Sequence, residues 1–129
     1  MPVTPLFAAL LAIFYIYLSI DVIKHRLGYN VSLGSGGHNE LERSIRAHAN
    51  FIEYVPISLI LLWFLETITF NHRLTFILGC VLLLARIAHV IGIQGGKKVF
   101  ILRRIGVLGT FTVIVISAGM LIWSYIPVS

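Results

Sequence analysis

Four long apolar stretches constrain the fold of this chain more than any other feature of its sequence. Each passes the length of about 18 to 25 residues that an α-helix needs to cross a bilayer core. They cover residues 2–23, 41–66, 74–93 and 105–128. Hydrophobic residues make up 58% of the 129 residues and charged residues 12%, whereas soluble domains are about 45–50% apolar. The sequence therefore predicts an all-α integral membrane protein, with residues 1–129 forming a single four-transmembrane-helix bundle.

Basic residues are concentrated in two of the three loops. The second loop holds only Arg73, and the first and third loops with their flanks hold Lys24, Arg26, Arg43, Arg46, Lys97, Lys98, Arg103 and Arg104. Because short basic loops remain in the cytoplasm, the first and third loops are predicted to be cytoplasmic and both termini to lie on the opposite side. The formal charge of +5 then faces the anionic headgroups of the lipid bilayer, and no nucleic-acid partner is predicted.

The second apolar stretch carries polar side chains at helical spacing. Steps of three, four and three residues place one stripe on a single helix face, consisting of Arg43, Arg46, Asn50 and Glu53, with Tyr54 beside it. A charged group near the bilayer centre costs about 2.5–3.5 kcal/mol on insertion scales, so the stripe must have partners. The candidate partners are the other charges of the stripe and a charged ligand. A need for a charged ligand indicates a functional site. A structural interpretation, in which the stripe pairs within its helix and holds helices together, stays open.

The third apolar stretch carries a second polar pair, Arg86 and His89, three residues apart. Since consecutive spans run antiparallel, Arg86 should lie at about the depth of Glu53. Each group would otherwise be buried alone, so an Arg86–Glu53 ion pair is predicted. His48 and His89 have no third ligand at a suitable spacing, and no metal site is predicted.

These two motifs resemble those of the MAPEG family, the membrane-associated proteins in eicosanoid and glutathione metabolism. The resemblance rests on Arg43-x-x-Arg46-Ala47-His48-x-Asn50-x-x-Glu53-Tyr54-x-Pro56, followed by Ala85-Arg86-Ile87-Ala88-His89. It is nearest to the small bacterial branch, which implies the bacterial inner membrane. The family implies a homotrimer of four-helix subunits, with glutathione bound in clefts between neighbouring subunits and open to the cytosolic face. Many members are glutathione transferases, peroxidases or isomerases, and some only bind lipid.

The resemblance also implies which residues bind glutathione. The candidates are Arg26, contributed by a neighbouring subunit, together with Arg46, His48, Asn50, Glu53, Tyr54, Arg86 and His89. The chemistry of the tripeptide agrees with this set, because two carboxylates call for guanidinium groups and one ammonium calls for a carboxylate. Arg46 and Arg26 fit the first role and Glu53 fits the second.

Catalysis would require the glutathione thiolate, and the family places an arginine at the start of the fourth helix to stabilise it. Arg103 and Arg104 are both candidates, and Arg103 is favoured because Gly109 and Thr110 follow it at a family-like distance. Where several members have a tyrosine in the last turn of the third helix, this chain has Ile93. The second substrate would be apolar or lipid-like and would lie between the first and fourth helices.

Three interpretations of function follow. The first is a glutathione transferase or peroxidase acting on apolar electrophiles or lipid hydroperoxides, and the second is a non-catalytic lipid-binding or structural scaffold on the same fold. The third is a small proton-coupled exporter with Glu53 as its proton site, since four spans in a short chain also fit that architecture. The third is disfavoured, because arginines near Glu53 would keep its carboxylate ionised and prevent proton exchange.

Overall fold

The computed structural model describes residues 1–127 and consists of four long α-helices. They are α1 (Thr4–Tyr29), α2 (Asn39–Thr69), α3 (His72–Gln94) and α4 (Phe100–Ser124), and a short 3-10 turn, Lys97–Val99, precedes α4. All four helices are long and apolar enough to cross a membrane, and residues 1–127 contain no strand. The predicted all-α four-helix membrane architecture is confirmed.

The helices extend beyond the apolar stretches at the end of the bundle where the first and third loops lie, which we call the basic end. Helix α1 continues past residue 23 to Tyr29, where Asn30 closes it in a left-handed conformation with φ 55°. Helix α4 begins at Phe100, so both of its arginines lie inside its first turns. The helices are longer than the apolar stretches because hydropathy indicates only where lipid contact ends. The backbone hydrogen bonds of a helix can continue into the polar layer. Val128, the predicted last residue of the fourth helix, lies outside the described residues.

Helices α3 and α4 pack closely because glycines lie at their contact. Gly92 of α3 lies against the backbone of Arg103. A Cβ atom on Gly106 of α4 would lie 2.5 Å from the carbonyl oxygen of Ala85 and 2.6 Å from the Cβ of His89. Small residues at such contacts allow helix backbones to approach in a membrane. This approach places the first turns of α4 beside the last turns of α3.

A buried carboxylate joins three helices at the opposite end of the bundle. Glu66, 1% exposed, accepts hydrogen bonds from the backbone N–H groups of Val3 at 2.6 Å and Thr4 at 2.9 Å, and from the Thr4 hydroxyl at 2.6 Å. His72 Nδ1 lies 2.7 Å from the same carboxylate. The orphan N–H groups at a helix start need such acceptors, and no side chain of the α1 N-cap residue itself provides one. We call this arrangement the Glu66 cap.

Candidate functional site

A cavity of about 260 Å³ opens at the basic end between α2, α3 and α4. Its charged lining consists of Arg43, Arg46, Lys97 and Arg103, with Glu42 as the one carboxylate among the lining residues. We call it the basic cavity. Four cations against one anion favour a negatively charged ligand. Guanidinium groups are well suited to carboxylates, since they offer paired N–H donors.

The residues that line the basic cavity come from α2, α3, the 3-10 turn and α4. Arg43 and Arg46 lie one turn apart on α2, so both side chains project from the same face. Arg103 lies in the second turn of α4 and comes close to α3 because Gly92 has no side chain. Ile93, which stands where several family members have a tyrosine, is part of the cavity wall. That wall therefore offers an apolar contact rather than a hydroxyl group.

Arg86 lies deeper in the bundle and is 0% exposed. Its Nη2 donates a hydrogen bond of 2.7 Å to Asn50 Oδ1 on α2. Its Nη1 lies 3.5 Å from Thr110 Oγ1 on α4, and His89 Nδ1 lies 3.5 Å from Nη2. The Nε atom has no hydrogen-bond partner among residues 1–127. We call these four residues the Arg86 network, which links α2, α3 and α4 through one buried guanidinium group.

The predicted Arg86–Glu53 ion pair is wrong within the described chain. Glu53 is exposed on α2, and it makes no ion pair with any residue in 1–127. The antiparallel arrangement of the spans suggested the pair, but similar depth does not determine the direction in which a side chain points. Asn50 faces α3, and Glu53 lies on the outer surface of the bundle.

Two other predicted ligand residues make contacts inside the chain and outside the basic cavity. Arg26 Nη1 donates a 2.8 Å hydrogen bond to the carbonyl oxygen of Gly34 and so holds the first loop. His48 Nε2 lies 3.1 Å from Ser19 Oγ on α1, and the imidazole ring stacks on Tyr15 with 5.1 Å between ring centroids. Both residues therefore have structural contacts within their own chain.

The remaining candidates lie on α2 and α4. Tyr54 packs against Phe111, with 5.5 Å between ring centroids. Arg104 is exposed, and its guanidinium carbon lies 5.4 Å from the centroid of the Phe100 ring. Of the two neighbouring arginines, Arg103 lines the basic cavity, and Arg104 is not among its lining residues.

A polar cluster at the basic end was not predicted. Asp21 Oδ2 accepts hydrogen bonds from Ser44 Oγ at 2.6 Å and from Gln94 Nε2 at 3.0 Å, which joins α1, α2 and α3. His25 Nδ1 lies 3.2 Å from the Ser44 hydroxyl. A cavity of about 240 Å³ lies beside this cluster and shares Arg43 with the basic cavity. The sequence signal was the helical spacing of Asp21 and His25, four residues apart at the end of an apolar stretch.

The fold and site define a class of protein: a four-helix membrane bundle with a cation-rich cavity at one end and a buried guanidinium group beneath it. Comparison with known proteins identifies the family. The MAPEG family pattern matches residues 4–123, and the chain belongs to this family. The chain is 34% identical over 125 residues to the "Inner membrane protein YecN" of Escherichia coli K12, covering 97% of this chain and 93% of that protein. The same protein of E. coli O6:H1 strain CFT073 matches with the same figures. The predicted family is confirmed.

Proposed function

We propose that this chain binds glutathione in the membrane and acts as a glutathione transferase or peroxidase on apolar electrophiles or lipid hydroperoxides. The observation that carries the proposal is the basic cavity, with Arg43, Arg46, Lys97 and Arg103 in its wall. Glutathione has two carboxylates, and paired guanidinium donors bind carboxylates strongly. Membership of a family known for glutathione-related functions supports the same ligand.

The proposed location is the bacterial inner membrane, which is the location named for the relative YecN. The distribution of basic residues orients the basic end toward the cytosol, where a water-soluble thiol peptide can enter the cavity directly. The proposed assembly is a homotrimer in which a neighbouring subunit completes each site. Glu53 supports this assembly, because an exposed carboxylate in a spanning helix requires a partner from outside its own bundle.

In the proposed reaction Arg103 stabilises the glutathione thiolate. Lowering a thiol pKa by two units from its usual 8.5 corresponds to about 2.7 kcal/mol of preferential binding of the anion. A guanidinium group can supply that amount once a neighbouring subunit closes the cavity against bulk water. For conjugation, the sulfur forms a bond to the electrophilic carbon while the leaving group departs with its electron pair. The apolar substrate reaches the sulfur from the surrounding lipid.

A non-catalytic scaffold is the second candidate, because several polar side chains of the predicted site contact their own chain. Arg26 binds the first loop, His48 contacts Ser19, and Arg86 binds Asn50. Such contacts are sufficient to hold helices together. Membership of the MAPEG family favours both candidates over a proton-coupled exporter.

Glutathione binding to the detergent-purified protein, measured by isothermal titration, tests the proposal. Arg46→Ala and Arg103→Ala should each weaken binding about tenfold or more, since each removes a charge-assisted hydrogen bond. Arg104→Ala is the matched control, because Arg104 neighbours Arg103 and is not a lining residue, although its guanidinium group lies over the ring of Phe100, which is one. It should change affinity less than about twofold.

Two outcomes contradict the proposal. Folded wild-type protein that binds no glutathione would remove the enzyme interpretation and favour the scaffold. Equal losses in Arg103→Ala and Arg104→Ala would show that binding depends on the general charge of the basic end rather than on the basic cavity.

A further inference from the structure

Two neighbouring cavities at the basic end share Arg43 and have opposite charge. The basic cavity has four cationic lining residues and one carboxylate. The second cavity, of about 240 Å³, is lined by the carboxylates of Asp21 and Glu40, with Arg43 as the one guanidinium group in its wall. We call it the Asp21 cavity. A ligand that occupies both cavities therefore meets an excess of anions on one side of Arg43 and an excess of cations on the other.

The carboxylate of Asp21 is held by the protein through one of its two oxygens. Oδ2 accepts hydrogen bonds from Ser44 Oγ at 2.6 Å and from Gln94 Nε2 at 3.0 Å. Oδ1 lies 3.6 Å from His25 Nδ1, which is beyond hydrogen-bonding distance. The side chain of Asp21 is 23% exposed, so the carboxylate is partly shielded from water and still open to the cavity that it lines. A charge-assisted hydrogen bond is stronger in such surroundings than at an open surface.

His25 and Glu40 add acceptors to the wall of the Asp21 cavity. His25 Nδ1 lies 2.8 Å from the main-chain carbonyl oxygen of Asp21. Because a carbonyl oxygen only accepts, Nδ1 carries the ring hydrogen, and Nε2 of the neutral ring is an acceptor. Glu40 Oε2 accepts a 2.8 Å hydrogen bond from the Tyr29 hydroxyl, which holds this carboxylate in place and leaves its second oxygen unused by Tyr29. An ammonium group, with three N–H donors, suits such a set of acceptors.

The other charged groups of the chain are less suited to an ammonium group. Glu42 lies in the basic cavity, where four cations repel a positively charged ligand. Glu53 lines neither cavity. A metal ion is not the matching ligand either, since among residues 1–127 no three carboxylate, imidazole or thiol groups are placed to hold one. The chemistry of the Asp21 cavity therefore favours an amine whose neighbouring group is an anion that Arg43 can bind.

We propose that the Asp21 cavity binds the γ-glutamyl end of glutathione, with the α-ammonium group on Asp21 and the α-carboxylate on Arg43. The inference rests on the proposed function and assigns the two ends of the peptide to two cavities. An α-amino acid has its ammonium and carboxylate groups on one carbon atom, so both fit at the boundary where Arg43 is shared. The glycine carboxylate then binds Arg46, and Arg103 remains free to stabilise the thiolate.

Isothermal titration with two peptides tests this assignment. One is glutathione, and the other is glutaryl-cysteinylglycine, which is glutathione without its α-amino group. Wild-type protein should bind the second peptide about tenfold or more weakly, because Asp21 loses a charge-assisted partner. Asp21→Asn should bind glutathione about tenfold more weakly than wild type does, and should bind the two peptides within about threefold of each other.

Three controls accompany this comparison. Asparagine at position 21 keeps one oxygen acceptor for Ser44 and Gln94, so the melting temperature of Asp21→Asn should stay close to that of wild type. Glu42→Gln and Glu53→Gln each remove one negative charge elsewhere, and both should keep the preference of about tenfold for glutathione, whatever their effect on affinity. Free L-glutamate should bind at least about tenfold more weakly than glutathione, because it leaves the basic cavity empty.

Four results would overturn the inference. Equal binding of the two peptides by wild type, a result that needs no variant to fold, removes it and leaves the proposed function intact. A preference that is lost in Glu42→Gln or Glu53→Gln and kept in Asp21→Asn assigns the ammonium group to another carboxylate. L-glutamate that binds as tightly as glutathione means that the Asp21 cavity serves free amino acids. Absence of glutathione binding by wild type removes the proposed function and this inference together.

Discussion

Two glutamates on α2 show how different the surroundings of one residue type can be in this bundle. Glu66 is 1% exposed and accepts hydrogen bonds from Val3 and Thr4. Glu53 is exposed and forms no ion pair within the described chain. The Glu66 cap satisfies its carboxylate within one chain. Glu53 remains available to a ligand or, in the proposed homotrimer, to a neighbouring subunit.

Replacing each glutamate by glutamine should therefore have unequal effects on stability. Glu66→Gln substitutes an amide donor for one acceptor oxygen facing the start of α1, and should lower the free energy of unfolding by about 2–3 kcal/mol. Glu53→Gln should lower it by less than Glu66→Gln does, because Glu53 has no ion pair to lose within residues 1–127. Thermal unfolding of both variants in the same detergent measures the difference, and similar melting temperatures would show that the Glu66 cap contributes little.

At this scale the sequence predicted residue types better than residue partners. The polar residues of α2 followed from spacing, but Asn50 faces α3 and Glu53 the outer surface, so they do not share one face. Arg103 lines the basic cavity. The hydrogen-bond partner of Arg86 could not be predicted in this way. Asn50 and Glu53 lie at similar depth on α2, and only the rotation of α2 about its axis decides which of the two faces Arg86. That rotation is determined by packing over the whole helix, and a local sequence motif does not predict it.

Among the elements, α3 and α4 form the closest pair, and this contact positions the basic cavity. Gly92 allows the backbone of Arg103 to approach, and Gly106 lies against Ala85 and His89. Thr110 follows Gly106 by one turn and so reaches Arg86. The geometry of both the basic cavity and the Arg86 network therefore depends on residues without side chains.

Gly106→Ala should destabilise the protein by about 1–3 kcal/mol, because the new Cβ atom meets the Ala85 backbone. Gly119→Ala, in the same helix, should have the opposite sign. No atom lies within 4 Å of its new Cβ, and alanine is favoured over glycine in a helix by about 1 kcal/mol. Thermal unfolding distinguishes the two variants, and a neutral Gly106→Ala would refute the close contact.

The elements themselves were the most predictable level of the structure. Spans of this length and hydropathy form helices because an exposed backbone cannot remain unpaired in lipid. Their ends were less predictable. Helix α1 continues through Lys24, His25 and Arg26 to Tyr29, since polar residues at a membrane surface are compatible with helical hydrogen bonding. Hydropathy carries no information about where that continuation stops.

At the scale of the whole molecule, the proposed homotrimer accounts for the polar side chains on the outer face of α2. Arg46 and Glu53 are both exposed in the single subunit. Exposed charges on a spanning helix favour association that covers them. The basic cavity is open in the isolated chain, and a neighbouring subunit that supplies Arg26 would close it.

Native mass spectrometry of the detergent-solubilised protein should give the mass of three chains. Glu53→Lys reverses the charge for which the proposed homotrimer supplies a partner from outside the bundle, and should reduce the trimer fraction at least about threefold relative to wild type. Arg73→Glu, in the second loop at the opposite end, should leave assembly unchanged. A monomer that binds glutathione with wild-type affinity would contradict a site between subunits.

The Glu66 cap closes one end of the bundle, while the basic cavity opens at the other. Under the proposed function the two substrates then arrive from two phases, the thiol from water and the electrophile by lateral diffusion in the bilayer. The concentration that governs the second substrate is its mole fraction among lipids, and adding more lipid at a constant amount of electrophile dilutes it. The protein would work as an interfacial catalyst, with kinetics set by membrane area rather than by solution volume.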